Sequence, residues 1–161
     1  MPLKPLVLLA GMILATQVPD LHAQADSARS DSAFHALQQR GAMYMGVNQY
    51  TSTHHFESLP DGGRIELQRD ASDTTDINQI RQHLREIALA FQHGDFQIPG
   101  MVHDQEVPGT AVMTAHRADI SYAFHELPRG GEVRITSRDS AAVDAIHQFL
   151  AFQRHEHHAS Q

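Results

Sequence analysis

Two stretches of this chain, FESLPDGGRIELQRD at 56–70 and FHELPRGGEVRITSRD at 124–139, carry the same pattern. Phe56, Leu59, Pro60, Gly62 and Gly63 recur 68 residues later as Phe124, Leu127, Pro128, Gly130 and Gly131. Arg69-Asp70 recurs as Arg138-Asp139. Ile77, Ile80 and Leu84 then recur at a spacing of 66 as Val143, Ile146 and Leu150. Running backwards, Ala42 and Met45 align with Thr110 and Met113. A repeat of this period constrains the fold more than any other feature. One unit is too short to bury its own core, so the two must pack together as a single domain. A pseudo-two-fold relation between them is expected.

Each unit reads as three strands and a helix. In the first, strands are expected at 42–48, 51–59 and 64–69, with Asp61-Gly62-Gly63 turning the hairpin. A helix over about 75–92 follows, with apolar residues at 77, 80, 84, 87, 88 and 91 and Gly94 at its end. In the second unit, strands fall near 111–116, 120–127 and 132–137. Arg129-Gly130-Gly131 turns the hairpin, and Asp139 or Ser140 caps a helix near 140–154. Asp31 to Gln39 looks helical and amphipathic. The segment 93–110, with three glycines and two prolines, reads as a long loop. The expected class is α+β: two βββα units, at about 42–92 and 110–154, forming an antiparallel sheet with helices on one face and a short helix before them.

The first 25 residues resemble a secretory leader. Lys4 precedes the apolar run Leu6 to Ala15, too short to span a bilayer, and Ala23-Gln24-Ala25 forms an A-x-A cleavage pattern. The expected mature chain is 26–161, periplasmic or secreted, with no stable membrane insertion after cleavage. It has no cysteine, so packing must stabilise it without disulfides, and covalent c-type haem is excluded. A formal charge of −7 argues against nucleic acid or anionic membrane as partner.

Histidine is the compositional outlier, with thirteen, all but His22 beyond the leader. Strand parity places His54 inward with Ser52 and Phe56, where the second unit has Tyr122. His55 and His125 point to the opposite face. On the helices, His83 flanks the buried face and corresponds to Phe149, while His147 lies among Val143, Ile146 and Leu150 and corresponds to Arg81. His103 sits in the long loop beside Asp104. Inward polar groups need hydrogen bonds or a metal. The candidate ligands are therefore His54, His83, His103 and His147. Met45 or Met113 is a soft donor for copper, and Asp104 a replacement donor for zinc. Packing is the ordinary role of such methionines. The tail RHEHHASQ, from His155 onward, is expected to be frayed and to bind metal only weakly.

No phosphate-binding glycine loop and no serine-nucleophile elbow is present. MGVNQYTSTHHFESLPDGG, VPGTAVM and AIHQFLAFQ together resemble a group of small exported bacterial proteins, some of which carry a carbamoyltransferase label. The S-T-R-T phosphate-binding stretch that such an activity implies is missing, since Y-T-S-T-H-H lacks the arginine. The resemblance therefore implies no catalytic residue. The expected function is exported metal binding, copper slightly ahead of zinc, as buffer, carrier or sensor. Affinity is expected to fall below about pH 6 as imidazoles protonate. The alternatives are a non-enzymatic interaction module or homodimer, using the uncovered face with His55, Glu57, Ala123 and His125, and a small hydrolase or non-covalent haem binder.

Overall fold

A computed structural model of the chain describes residues 21–46, 51–70 and 74–157. The apolar run of the expected leader, the end of the strand expected at 42–48 and the last four residues lie outside these. The elements in order are α1 (Leu21–Met45), β1 (Ser52–Leu59), β2 (Gly62–Arg69), α2 (Thr74–Gln92), α3 (Gln97–His103), α4 (Thr110–Ala115), β3 (Ile120–Leu127), β4 (Gly130–Ser137) and α5 (Ser140–Glu156). The chain is α+β, with one four-stranded antiparallel sheet in the order β1-β2-β4-β3. No described helix is long and apolar enough to cross a membrane.

The hairpins form where the repeated motif puts them, but the glycines do a different job from the one expected. The turn residues are Pro60-Asp61 and Pro128-Arg129, and both glycine pairs already lie in strands. Of the four, only Gly62 has positive φ, at 138°. The second glycine of each pair makes room for a helix. A Cβ on Gly131 would lie 2.6 Å from Phe124 Cε2 and 3.1 Å from Leu84 Cδ1 on α2. A Cβ on Gly63 would overlap Leu150 on α5 and lie 2.7 Å from the Glu57 carbonyl oxygen. Each helix thus seats a leucine on the hairpin of the other unit. Accordingly α2 packs mainly on β3 and β4, and α5 mainly on β1 and β2.

The central pairing makes the pseudo-symmetry explicit. Gly62 pairs with Thr136 and Gln68 with Gly130, and Ile65 faces Val133, its own counterpart 68 residues on. Exchanging the two strands reproduces the same register. The pseudo-two-fold axis therefore passes through the Ile65–Val133 pair. Ile65, Leu67, Val133, Ile135 and Ile120 face inward against Ile80, Leu84, Ile146, Phe149 and Leu150, all at most 5 % exposed. Each such side chain contributes about 1.5–3 kcal/mol by leaving water. The opposite face is polar: Arg64 is paired with Glu57 and Glu132, and Arg134 with Asp61.

Three expectations need correction. The segment 42–45 ends helix α1 and is not a strand. Residues 110–115 form helix α4. There Gly109 takes φ 85° at the start, Thr110 Oγ1 donates to the Val107 carbonyl, and Met113 is fully buried while Val112 is exposed. That burial follows a helical turn and not a strand alternation. The repeating element is consequently a hairpin followed by a helix, without the third strand. The long loop contains helix α3, which starts at Gln97, whose N–H donates to Asp95 Oδ1 at 2.9 Å. Pro99 is tolerated because the first turn of a helix needs no N–H from it. Val102 and His103 are its buried side chains.

Asp139 caps α5 by accepting from the Ala142 N–H at 2.8 Å. Gly94, at φ 76°, ends α2 as expected. Gly63→Ala and Gly131→Ala should each lower stability by about 1–3 kcal/mol, the usual cost of overpacking. Gly100→Ala, whose Cβ would have only the Gln105 carbonyl oxygen at 3.7 Å, should be neutral or slightly stabilising. Urea denaturation of the three variants checks this.

Candidate functional site

Three of the four candidate histidines converge. His54 on β1, His83 on α2 and His103 at the end of α3 line one pocket, together with Gln153 and His157 from the end of α5. Apolar residues including Phe56, Leu67, Ile87, Phe91, Val102 and Phe149 complete the wall. The cavity measures about 60 Å³, room for an ion or a few waters and not for a porphyrin.

His157 is the centre of the group. Its ring centroid lies 5.2 Å from that of His54, with the planes 19° apart, and 5.2 Å from that of His103, with the planes at 88°. It also lies 5.6 Å from Phe56. His103 is buried, its Nε2 3.0 Å from Gln153 Oε1. His103 Nδ1 lies 4.0 Å from Glu156 Oε2 and has no hydrogen-bond partner.

Burial shapes the protonation of these rings. Desolvation, assisted by the neighbouring His83 and His55, lowers the His54 pKa to about 4. Desolvation lowers that of His83 to about 4 against the opposing pull of Glu86. His103 is also held below its ordinary value, chiefly by desolvation. At neutral pH the His54, His83 and His103 rings are therefore uncharged.

The pseudo-symmetry shows what is unusual here. At the strand spacing of 68, His54 corresponds to Tyr122. At the helix spacing of 66, His83 corresponds to Phe149, Gln153 to Ile87, and His157 to Phe91. The corresponding contact in the other half, Phe91 with Tyr122, is an edge-on aromatic pair at 5.9 Å. Phe96 stacks on Phe91 at 4.4 Å and fills that side. Each of the three imidazoles thus has an aromatic ring at its corresponding position, and two of those rings, Phe91 and Phe149, wall the same pocket.

The remaining candidates lie elsewhere. His147 is absent from the pocket lining, and its Nε2 bonds the Leu59 carbonyl at 2.9 Å. Its counterpart Arg81 donates to the Leu127 carbonyl, the corresponding atom of the other hairpin, at 2.8 Å. His147 is thus a hairpin clamp. Met113 is core, at 0 % exposure, and is also absent from the lining. The Met45 side chain lies outside the described atoms. Asp104 is an exposed left-handed C-cap of α3. His157 and Glu156 were assigned to a frayed tail, yet α5 runs through Glu156 and His157 packs in the pocket. Extending the spacing of 66 to Phe91 would have found His157. Among the described residues, no group of three His, Asp or Glu side chains is placed to hold a metal ion.

Comparison with family models, curated proteins and solved structures finds no match.

Both His54 and His83 have folded pKa values below their ordinary 6.5. As pH falls, the unfolded chain takes up protons first. Stability conferred by the neutral rings is therefore lost from about pH 6.5 down to about pH 4, on the order of a few kcal/mol for the pair. The combined His54→Tyr and His83→Phe variant, which installs the other half's residues, should flatten this part of the pH–stability profile. Thermal unfolding between pH 4 and pH 7 measures it.

Proposed function

We propose that the protein binds a borderline divalent transition-metal ion in this pocket, as an exported buffer, carrier or sensor. The observation that carries the reading is the replacement of Tyr122, Phe149 and Phe91 by His54, His83 and His157 at corresponding positions. Neutral imidazoles in an apolar pocket lose the hydrogen bonds of water, a cost that aromatic rings do not incur. Metal ligation compensates it.

The spacing supports the reading. Two imidazoles on one tetrahedral ion, with metal–nitrogen bonds of about 2.0–2.1 Å, place their ring centroids about 5.2 Å apart. His157 lies at 5.2 Å from both His54 and His103. With Met113 outside the lining, no described thioether argues for Cu(I). Imidazole donors favour Zn(II) or Cu(II).

Native mass spectrometry and zinc or copper titration of the tag-free chain test it. One ion per chain is expected, lost when His54→Tyr and His157→Phe are combined, with the fold retained. Absence of stoichiometric metal would overturn the reading. So would binding that survives those substitutions and disappears when residues 158–161 are removed.

The lowered pKa values also move the expected pH limit. Protons compete for His54 and His83 only as pH approaches about 4. The ion should stay bound at pH 5, where exposed histidines of pKa about 6.5 have released theirs. Exposed ligands would lose the ion below about pH 6. Equilibrium dialysis at pH 7, 5 and 4 separates the two cases.

A further inference from the structure

Resting on that reading, we infer that His103 binds the ion through Nδ1, that Glu156 is a carboxylate ligand beside it, and that Gln153 is the positioning residue that fixes the His103 tautomer. The site is then one of imidazoles plus one carboxylate, matched to Zn(II) more than to a soft ion.

The argument begins with the hydrogen bond between His103 and Gln153. Gln153 Oε1 has lone pairs and no proton, so at 3.0 Å the imidazole Nε2 must be the donor. A neutral ring with its proton on Nε2 carries its free lone pair on Nδ1. That atom is buried and meets no donor among the described residues. The His103 side chain is 1 % exposed, so bulk water does not serve it either. An unmet buried acceptor costs about 1–3 kcal/mol.

The group it faces makes the shortage worse. Glu156 Oε2, 4.0 Å away, is also an acceptor. Two lone-pair atoms facing each other are mutually unfavourable unless a proton donor or a cation lies between them. At 4.0 Å the two atoms are also too far apart for a hydrogen bond. On a tetrahedral ion the two donor atoms would be about 3.4 Å apart. Closing the gap is a small movement of the Glu156 side chain, which is 32 % exposed and at the end of its helix.

The placement on α5 agrees. Gln153, Glu156 and His157 stand at i, i+3 and i+4, so they share one face of the last turn. Their counterparts at a spacing of 66 are Ile87, Ala90 and Phe91, an apolar set. Three polar residues have been placed together where the other helix has none. Gln153 itself is 5 % exposed, and a buried amide in an apolar wall needs a purpose. Holding the ring nitrogen opposite the metal is the role that such outer-sphere partners perform.

Nitrogen-15 NMR of the metal-free chain reads the tautomer directly, and zinc titration reads the affinity. The Nε2–H form of His103 is expected. Gln153→Ile, the counterpart residue, should keep the fold, shift the ring towards the Nδ1–H form and weaken zinc about 10- to 100-fold. Gln153→Glu should retain the tautomer and recover affinity to within a few-fold. Glu156→Gln should weaken zinc and change the visible spectrum of the Co(II)-loaded protein, whereas a merely structural role would leave that spectrum unchanged. Zinc binding with an Nδ1–H His103, or with affinity unaffected by Gln153→Ile, would overturn this inference and leave the metal reading standing. A chain with the stated tautomer that binds no zinc would overturn the metal reading, and Glu156 as a ligand with it.

Discussion

The structure depends on two leucines seated on two glycines. Leu84 of α2 lies over Gly131 and Leu150 of α5 over Gly63, so each helix completes the core of the other unit's hairpin. The absent side chains let the helices approach the sheet closely, and close approach buries Ile80 and Ile146 completely. The crossing explains why the units form one domain: a hairpin separated from its partner's helix would lose the cover on its inner face. It also explains the paired clamps, in which Arg81 and His147 bond the carbonyls of Leu127 and Leu59 across the same interface.

That frame fixes the centre and leaves the ends of the helices to differ. Near the axis the two halves are nearly alike, with Ile65 against Val133 and Ile80 matched to Ile146. Further out, the end of α2 closes with Phe91, Phe96 and Tyr122, and the end of α5 with His157, His54 and His103. Each aromatic pair contributes about 0.5–1.5 kcal/mol beyond its burial. The histidine end carries a stability cost in acid. The frame tolerates this because the shared core around Ile80, Val133, Ile135 and Ile146, each at 0 % exposure, is built away from the helix ends.

The hairpins, the inward parity of His54 and the phase of α2 and α5 were legible in the sequence. Each follows from a local rule: glycines beside a turn, alternation along a strand, or a 3.6-residue period. The helices α3 and α4 were not. Pro99 and Gly100 concealed the first, and the apolar residues around Met113 suggested a strand because their burial comes from α5, distant in sequence. The pocket was half legible. His54 and His83 stood out against Tyr122 and Phe149, while the polar neighbours of His157 suggested a solvated tail. His147 showed the opposite problem, since helical phase placed it inward and only the fold supplied the Leu59 carbonyl that satisfies it.

The pocket draws its residues from elements that the central frame does not hold together. His54 is on an edge strand, His103 ends the short helix α3, and His157 follows the last turn of α5. The outer side of α3 is held by α1 through the bond from Arg40 Nε to the Val102 carbonyl at 2.6 Å. An ion joining these residues would therefore add constraint where the leucine–glycine seating adds least. A ligand that binds only the folded arrangement stabilises it in proportion to the logarithm of its free concentration over its dissociation constant. In a chain without disulfides, that constraint would act chiefly on β1, α3 and the end of α5. The β3–β4 hairpin would be largely indifferent to it, because none of its residues lines the pocket.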